Sequence, residues 1–398
     1  KDPLYAILNG RQLALKVICN SLYGFTAGYI IYEPKIASSV TKYGRGLILQ
    51  TKYGVEKNAR FGKCKCIYGD SVIGDTPLLL RINGSIVIRR IETLAQVWTS
   101  YNDKEACELH GVESWTEHGW TRVKRVIRHR TDKQLLRVQT HTGHVVCTED
   151  HSLLRPDGSD VSPKDVVVGD TLMHSFPTEF PSTWHSWDVS FTYAFHMNGS
   201  TYVSLRDAAT ELACSVSKAS AMCRRVDIHR TLSLDASFAR LMGMFIGDGS
   251  CGRYTTKHGV KNSWAMNNSN IEMLQEYKKI ASDVFPEFEW KILPTLKSSG
   301  VYKLVPRCSV QGAISRLVEF WRTLCYNEKR EKVLPDCILQ SPFRLDFWNG
   351  LHDADGTKGS KCPEISQKGS QISLGIVTLL RSLGYNHVVV DTRSDKPN

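Results

Sequence analysis

The chain has 398 residues, enough for two or three domains with separate cores. Its hydrophobic content of 41% and charged content of 23% are ordinary for globular proteins, which argues against a disordered or fibrous chain. No apolar run reaches the ~18 residues of a membrane span, so none is expected. The net charge of +11 suits a nucleic-acid partner, although a merely basic soluble protein fits equally well.

The first 70 residues carry a nucleotide-site pattern. Residues 11–28 read RQLALKVICNSLYGFTAG and predict a helix that ends at Tyr23–Gly24. An amphipathic helix over 36–57 and the strand-like run CKCIYGD follow. The K-x-x-x-N-S-x-Y-G run resembles the fingers motif of family B DNA polymerases, and the run ending at Asp70 resembles the start of their YGDTDS signature. The resemblance implies that Lys16 contacts nucleotide phosphates and that Asn20 and Tyr23 line the nucleotide pocket.

The signature breaks off after Asp70, where Ser71 replaces the expected Thr-Asp-Ser. We therefore expect a palm and fingers fragment over 1–70 that belongs to a Mg²⁺- and dNTP-dependent DNA-directed DNA polymerase. The metal-binding aspartate of the signature is missing here, so this fragment alone is not expected to polymerise DNA.

Residues 71–178 predict a compact all-β domain. Apolar and polar residues alternate around Asn83–Gly84, a hairpin signal, and again around a turn at Thr142–Gly143. The run SPKDVVVGDTLM, residues 162–173, predicts a turn and a further strand.

The run TEDH, residues 148–151, resembles the T-x-x-H motif of inteins, which are self-splicing inserts. The resemblance implies an incomplete Hint-type splicing domain that needs no cofactor. Ser71 would attack the carbonyl of Asp70 and convert the amide into an ester. Thr148 and His151 would hold and protonate the scissile nitrogen, a task that suits histidine because it titrates near neutral pH.

Residues 179–235 are interpreted as a connector. The run FPTEFPSTWHSWD is rich in Pro, Ser and aromatic residues and predicts a linker. Two short helices are expected around Ser215-Val216-Ser217. A DNA-binding helix-turn-helix is one interpretation of them, and a plain helical pair packed on a neighbour is the favoured one.

Residues 236–398 contain two similar helical motifs, SFARLMGMFIGDG and DFWNGLHDADG. In each, apolar residues share one helix face, two small residues lie four apart, and an aspartate follows. Small residues permit a close helix crossing, which would bring Asp248 and Asp355 together as ligands for a hard divalent cation.

This pair resembles the two motifs of single-chain LAGLIDADG homing endonucleases, which have an α/β fold. The resemblance implies that the two aspartates bind Mg²⁺ for cleavage of double-stranded DNA. Lys332 and Lys368 are further active-site candidates, and Gln367 is a supporting residue. The basic stretches 289–306 and 386–394 are expected to be strands that contact DNA.

Together these patterns predict a multidomain α+β chain with domains at 1–70, 71–178, 179–235 and 236–398. We expect the second endonuclease half to be truncated, the insert to be monomeric, and the protein to act inside a cell, in the nucleus or cytoplasm, including one infected by a large DNA virus. Two alternatives stay open. The endonuclease has decayed into a structural or DNA-binding module, or the protein is a maturase-like RNA binder.

Overall fold

The computed structural model describes residues 71–101, 104–257, 259–296, 299–357 and 363–391. These residues lie in one compact unit that begins at Asp70. The expectations for Lys16, Asn20 and Tyr23, and for the helices and strand of residues 1–70, lie outside the described residues.

The stretch after Ser71 is built from short antiparallel strands, as its alternating pattern predicts. Their bounds are β1 Pro77–Ile82, β2 Ser85–Arg90, β3 Thr99–Tyr101, β4 Lys104–Glu108, β5 Val112–Thr116, β6 Gly119–Arg122, β7 Arg125–Arg128, β8 Leu135–Thr140, β9 Gly143–Thr148, β10 Leu153–Leu154 and β11 Asp160–Val161. They form sheets of order β2-β1-β5-β6 and β3-β4-β7 and the pairs β8-β9 and β10-β11. Short 3₁₀ turns cover Ile91–Leu94 and Pro163–Asp165.

The predicted hairpin at Asn83–Gly84 is confirmed. Both residues have positive φ, +49° and +86°, the values that a two-residue turn matched to the strand twist requires. In the second hairpin the prediction is wrong by one residue. Thr140 pairs with Gly143, so His141 and Thr142 form the loop and Gly143 starts β9.

The strand predicted after Pro163–Asp165 is absent from the described residues. Asp170 N donates to Val167 O at 3.1 Å and closes a turn, and residues 171–185 are irregular. The side chains of Val167 and Val168 are 66% and 107% exposed. An apolar run forms a strand only where it packs on a face and pairs with a neighbour, and here it does neither.

The predicted linker is irregular only up to residue 185. It then enters a twelve-residue strand, so the region is a folded sheet of order β13-β12-β14 with two helices. The bounds are β12 Ser186–Met197, β13 Ser200–Tyr202, α1 Leu205–Glu211, α2 Val216–Met222 and β14 Arg224–Ser233. The helical pair around Ser215 is confirmed, since Ser215 caps α2 by accepting from Lys218 N.

The last part of the described chain alternates helices with a four-stranded sheet of order β15-β16-β18-β17. Its elements are α3 Ala236–Asp248, β15 Gly249–Thr256, β16 Gly259–Asn268, α4 Ile271–Val284, β17 Glu289–Pro294, β18 Tyr302–Arg307, α5 Ala313–Cys325, α6 Asp336–Leu339, α7 Arg344–Asp355 and α8 Ser370–Ser382. Strands are thus confirmed within 289–306. Residues 386–391 form none, and Val389 is 72% exposed.

The apolar face predicted for α3 is the centre of the main core. All five of its predicted residues are fully buried, namely Phe238, Leu241, Met242, Phe245 and Ile246. The helix begins where the Asp235 side chain accepts from Phe238 N at 2.8 Å. Large aromatic side chains from the sheet and from α5 surround Phe245, among them Trp264 and Trp321 at ring distances of 5.3 and 4.4 Å.

Strand β2 contributes to two cores. Val87 packs in a small core of the β1–β7 sheets, whereas Ile86 and Ile88 on its other face join the main core. Gln371 Nε2 in α8 donates to Ile88 O at 2.9 Å, and Arg89 forms an ion pair with Asp336 of α6. The first β region and the helical region are therefore packed against each other.

Candidate active sites

The two motif helices, α3 and α7, cross with their backbones in contact. A Cβ added to Gly243 would lie 2.0 Å from Phe347 O, and one added to Gly350 would lie 2.0 Å from Arg240 O. One turn later, a Cβ on Gly247 would lie 2.3 Å from that of Ala354. The close crossing that the small residues predict is confirmed, and only small residues fit there.

The crossing brings the carboxylates of Asp248 and Asp355 to one place. Each is the last residue of its helix, α3 and α7. A Cβ added to Gly247 would lie 3.1 Å from Asp355 Oδ2, so the Asp355 carboxylate reaches across to the end of α3. The C-terminal ends of two helices add partial negative charge to these carboxylates.

Lys332 lies between the two aspartates. Its Nζ donates to the carbonyls of Ile246 and Gly247 at 2.7 and 2.9 Å. Burial lowers the pKa of Lys332, while attraction to Asp355 and Asp248 works in the opposite direction. Burial likewise raises the pKa of Asp355, and Lys332 and Gln367 hold it down. The lysine therefore offsets part of the charge that the two carboxylates concentrate.

Each aspartate also accepts a hydrogen bond from a side-chain amide. Gln367 Nε2 donates to Asp355 Oδ2, as expected for a supporting residue. Asn268 Nδ2 donates to Asp248 Oδ2 at 2.5 Å, a contact that the sequence analysis missed. The available signal was an amide residue downstream of each motif. Lys368 has an exposed side chain, unlike its neighbour Gln367.

This donor set fits a hard divalent cation. Two carboxylates at two helix C-termini supply oxygen ligands and negative charge, and the two amides restrict the carboxylate orientations. Burial of Asp355 disfavours its charged form, so a bound cation would relieve an existing electrostatic cost.

The second candidate site surrounds Ser71. Thr148 N donates to Ser71 O at 3.0 Å, Val72 bridges to Cys147, and Ile73 N donates to Val146 O at 3.1 Å. Residues 71–73 therefore run antiparallel to the end of β9, which leads directly into the T-x-x-H run. Ser71 and Thr148, paired by sequence analysis, are adjacent in the structure.

The T-x-x-H run forms a tight turn, in which His151 N donates to Thr148 O at 3.0 Å. Thr148 is only 2% exposed. Hydrogen bonds from Lys133 and Thr148 lower the pKa of the Asp150 carboxyl in the middle of the turn. The Nδ1 atom of His151 is buried and has no hydrogen-bond partner among the described residues.

A second histidine, His129, contacts the Ser71 hydroxyl. Its Nε2 lies 2.5 Å from Ser71 Oγ, and its Nδ1 lies 2.9 Å from Arg130 O. His129 follows β7 and is 19 residues from Thr148 in the chain, in a basic run without a recognisable motif. No sequence signal identified it.

Within the described residues, no helix has both the length and the apolarity to cross a membrane. The family model for DNA polymerase family B matches residues 1–84.

Three similar proteins place this match in context. The chain is 36% identical to a DNA polymerase of Acanthamoeba polyphaga mimivirus over 419 aligned residues, covering 100% of the chain and 21% of the relative. It is 21% identical over 343 residues to the replication factor C small subunit of Methanocaldococcus jannaschii, covering 81% of the chain and 17% of that protein. A structure of the homing endonuclease I-DmoI in complex with DNA and Mn shares 20% identity over 37% of this chain and 78% of its own, with a TM-score of 0.27. The chain spans about a fifth of the length of the polymerase relative.

Proposed function

Because this chain is a relative of the family B DNA polymerases, we propose that it is a polymerase segment interrupted after Asp70 by an insert. The insert would excise itself by protein splicing and would cleave double-stranded DNA at a specific site. The uninterrupted polymerase would use dNTPs, and the insert would act on DNA alone.

The pattern of similarity supports an insert that is separable from its host. Residues 1–70 make up about 18% of the chain (70 of 398). A match over 81% of the chain must therefore fall mostly within residues 71–398. The matched protein is a replication factor C subunit, not a polymerase. A segment shared by two different replication proteins is expected of a mobile insert.

The observation that carries the proposed DNA cleavage is the meeting of Asp248, Asp355 and Lys332 where α3 and α7 end. The two carboxylates would hold Mg²⁺. When bound, the ion would polarise the scissile phosphate and lower the pKa of an attacking water. Gln367 and Asn268 keep the carboxylates oriented, and the Lys332 ammonium provides positive charge beside the phosphate that is cleaved.

The β15–β18 sheet offers a surface for DNA. Trp264, Trp290 and Leu304 point into the core, so residues at odd spacing from them point outward. The basic residues on that outer face are Lys261, Lys291, Lys303 and Arg307. Glu289 shares the face and pairs with Lys291 at 3.1 Å. The remaining positive charges suit phosphate contacts.

The proposed splicing begins with an acyl shift at Ser71. Its Oγ would bond to the carbonyl carbon of Asp70, the carbon–nitrogen bond would break, and the nitrogen would gain a proton. His151 is suited to give that proton, because its buried Nδ1 lacks a partner among the described residues. Thr148 N holds the Ser71 carbonyl and so restrains the backbone on one side of the scissile bond.

A nicking assay tests the cleavage proposal. The full-length gene product is incubated with the uninterrupted polymerase gene, with Mg²⁺ or with EDTA. We expect cleavage only with Mg²⁺, and a loss of at least about 100-fold in Asp248→Asn and Asp355→Asn, since general effects on a phosphoryl-transfer site are of this order. Asp283→Asn, an exposed aspartate of α4, is the matched control.

The assay also separates the alternatives. Binding of the insertion-site duplex without cleavage would indicate a decayed endonuclease, and a preference for structured RNA would favour a maturase-like role. For splicing, Ser71→Ala should leave the upstream segment attached, because no hydroxyl can attack. Separation in that variant would show that Ser71 is not the nucleophile.

A further inference from the structure

We propose that His129 is the general base that activates Ser71. This inference rests on the proposed splicing function and adds a residue to that site. It assigns opposite proton transfers to two histidines: His129 removes the proton of the attacking hydroxyl, and His151 supplies one to the departing nitrogen.

The hydrogen bonds of His129 define its tautomer. The Arg130 carbonyl, 2.9 Å from Nδ1, can only accept, so in the neutral ring Nδ1 carries the hydrogen. Nε2 then has a free lone pair, and it lies 2.5 Å from Ser71 Oγ. The hydroxyl therefore donates to Nε2. A nucleophile bonded to a base that a third group orients is the arrangement that activates serine.

Nucleophile and base are held by different elements. Backbone hydrogen bonds to the end of β9 position Ser71. His129 directly follows β7, which is paired along its length with β4. Its neighbour Arg128 is bound by Glu105 at 2.7 Å and lies over the Trp98 ring at 4.3 Å, which fixes the chain entering the histidine. The contact therefore does not depend on one flexible loop.

The proton transfers balance. The Ser71 hydroxyl proton moves to His129 Nε2 as the Oγ–carbon bond forms at Asp70. The carbon–nitrogen bond then breaks, and the nitrogen takes a proton from His151. One proton is taken and one is given, so an ester and a free amine result without another reactant. A single histidine would have to turn from the hydroxyl to the nitrogen between the two steps.

His129 is exposed, which makes a structural role weak. A surface hydrogen bond contributes little to folding, so its removal should leave the fold intact. Chemistry and stability can therefore be measured separately at this position.

The test measures release of the upstream segment by hydroxylamine, which cleaves the ester, in the full-length gene product. We expect His129→Ala and His129→Gln to slow release by about 100-fold, the usual contribution of a general base. The melting temperature should not change. His118→Ala, an exposed histidine of the β5–β6 turn, should match the wild type.

Two further measurements separate a base from a spacer. Added imidazole should restore much of the rate in His129→Ala, because the site is open to solvent. In a Ser71→Cys background the His129→Ala defect should shrink to about tenfold or less, because a thiol ionises appreciably near neutral pH without a base. Absence of both effects would overturn the assignment of a base.

Failure of this inference can be told apart from failure of the proposed function. If the wild-type protein releases no upstream segment, the splicing proposal itself is wrong. If the wild type releases it and the His129 variants do so at the same rate, splicing stands and His129 has no part in it.

Discussion

The two candidate sites depend on the fold to different degrees. At the α3–α7 crossing, Gly243 and Gly350 lie against backbone atoms of the opposite helix, and the carboxylates are partly buried. At Ser71, a few backbone hydrogen bonds hold the nucleophile against β9, and its histidine partner is exposed. Changes at the crossing should therefore disturb folding and activity together, whereas changes at Ser71 should affect activity alone.

The sites are nevertheless packed into one unit. Ile86 and Ile88 of β2 enter the same core as α3 and α7, and Gln371 of α8 donates to Ile88 O. Severe damage to the crossing should therefore also reach the β region that holds Ser71. Mild changes that spare this core should leave the two activities independent.

The largest expected effect is that of Gly350→Ala. The added Cβ would lie 2.0 Å from Arg240 O and 3.0 Å from Met244 N, and neither backbone atom can move without separating the helices. Although alanine favours a helix by about 1 kcal/mol over glycine, we expect a net loss of about 3 kcal/mol in unfolding free energy from overpacking. Denaturant unfolding of the chain measures it.

The matched control for Gly350→Ala is Gly252→Ala in β15, where the nearest atom, Tyr254 Oη, would lie at an ordinary 3.4 Å. That substitution should change the unfolding free energy little. Equal midpoints for the two variants would contradict the tight crossing and remove the main contrast between the sites.

A second prediction concerns the pH dependence that Lys332 controls. Burial raises the folded-state pKa of Asp355, so this carboxyl stabilises the fold least when ionised. Stability should fall as the pH rises from the unfolded pKa, about 3.9, through the folded pKa. Lys332→Met removes an attracting charge, and we expect the end of this fall to move up by about one pH unit.

Denaturant unfolding between pH 4 and pH 8 measures this shift. The control is Lys368→Met, the same substitution at an exposed neighbour of Gln367, which should leave the profile unchanged. A shift in Lys368→Met but not in Lys332→Met would reverse the roles that the geometry indicates for the two lysines.

The smallest expected effect sharpens the comparison from the β side. Gly84 has a φ of +86° and no atom within 4 Å of an added Cβ. Gly84→Ala therefore meets no obstruction and costs only the strain of the left-handed conformation, about 1 kcal/mol. Thermal unfolding measures it, with Ser85→Ala in the adjacent strand as control. A loss as large as that of Gly350→Ala would mean that the turn does more than reverse the chain.

Local patterns predicted several elements well. The 3.6-residue spacing of α3 identified its buried face, because helix periodicity depends only on positions within one element. Asn83–Gly84 predicted its hairpin because these residues tolerate positive φ. The small residues of the two motifs likewise predicted which helix faces meet.

The wrong predictions have a shared cause. The runs at 166–173 and 386–391 contain consecutive valines, yet Val168 and Val389 are largely exposed and neither run has a strand partner among the described residues. Valine favours a strand through packing and pairing, and both depend on segments distant in the chain.

By itself the sequence determined which segments carry chemistry, since Ser71, Thr148, His151, Asp248 and Asp355 all lie in short motifs whose spacing is local. Only the tertiary structure brought Lys332 between the two carboxylates, Asn268 to Asp248, and His129 to Ser71. These partners are 20 to 84 residues apart in the chain. No periodicity links such positions, and it is the packing of separate elements that decides which side chains meet.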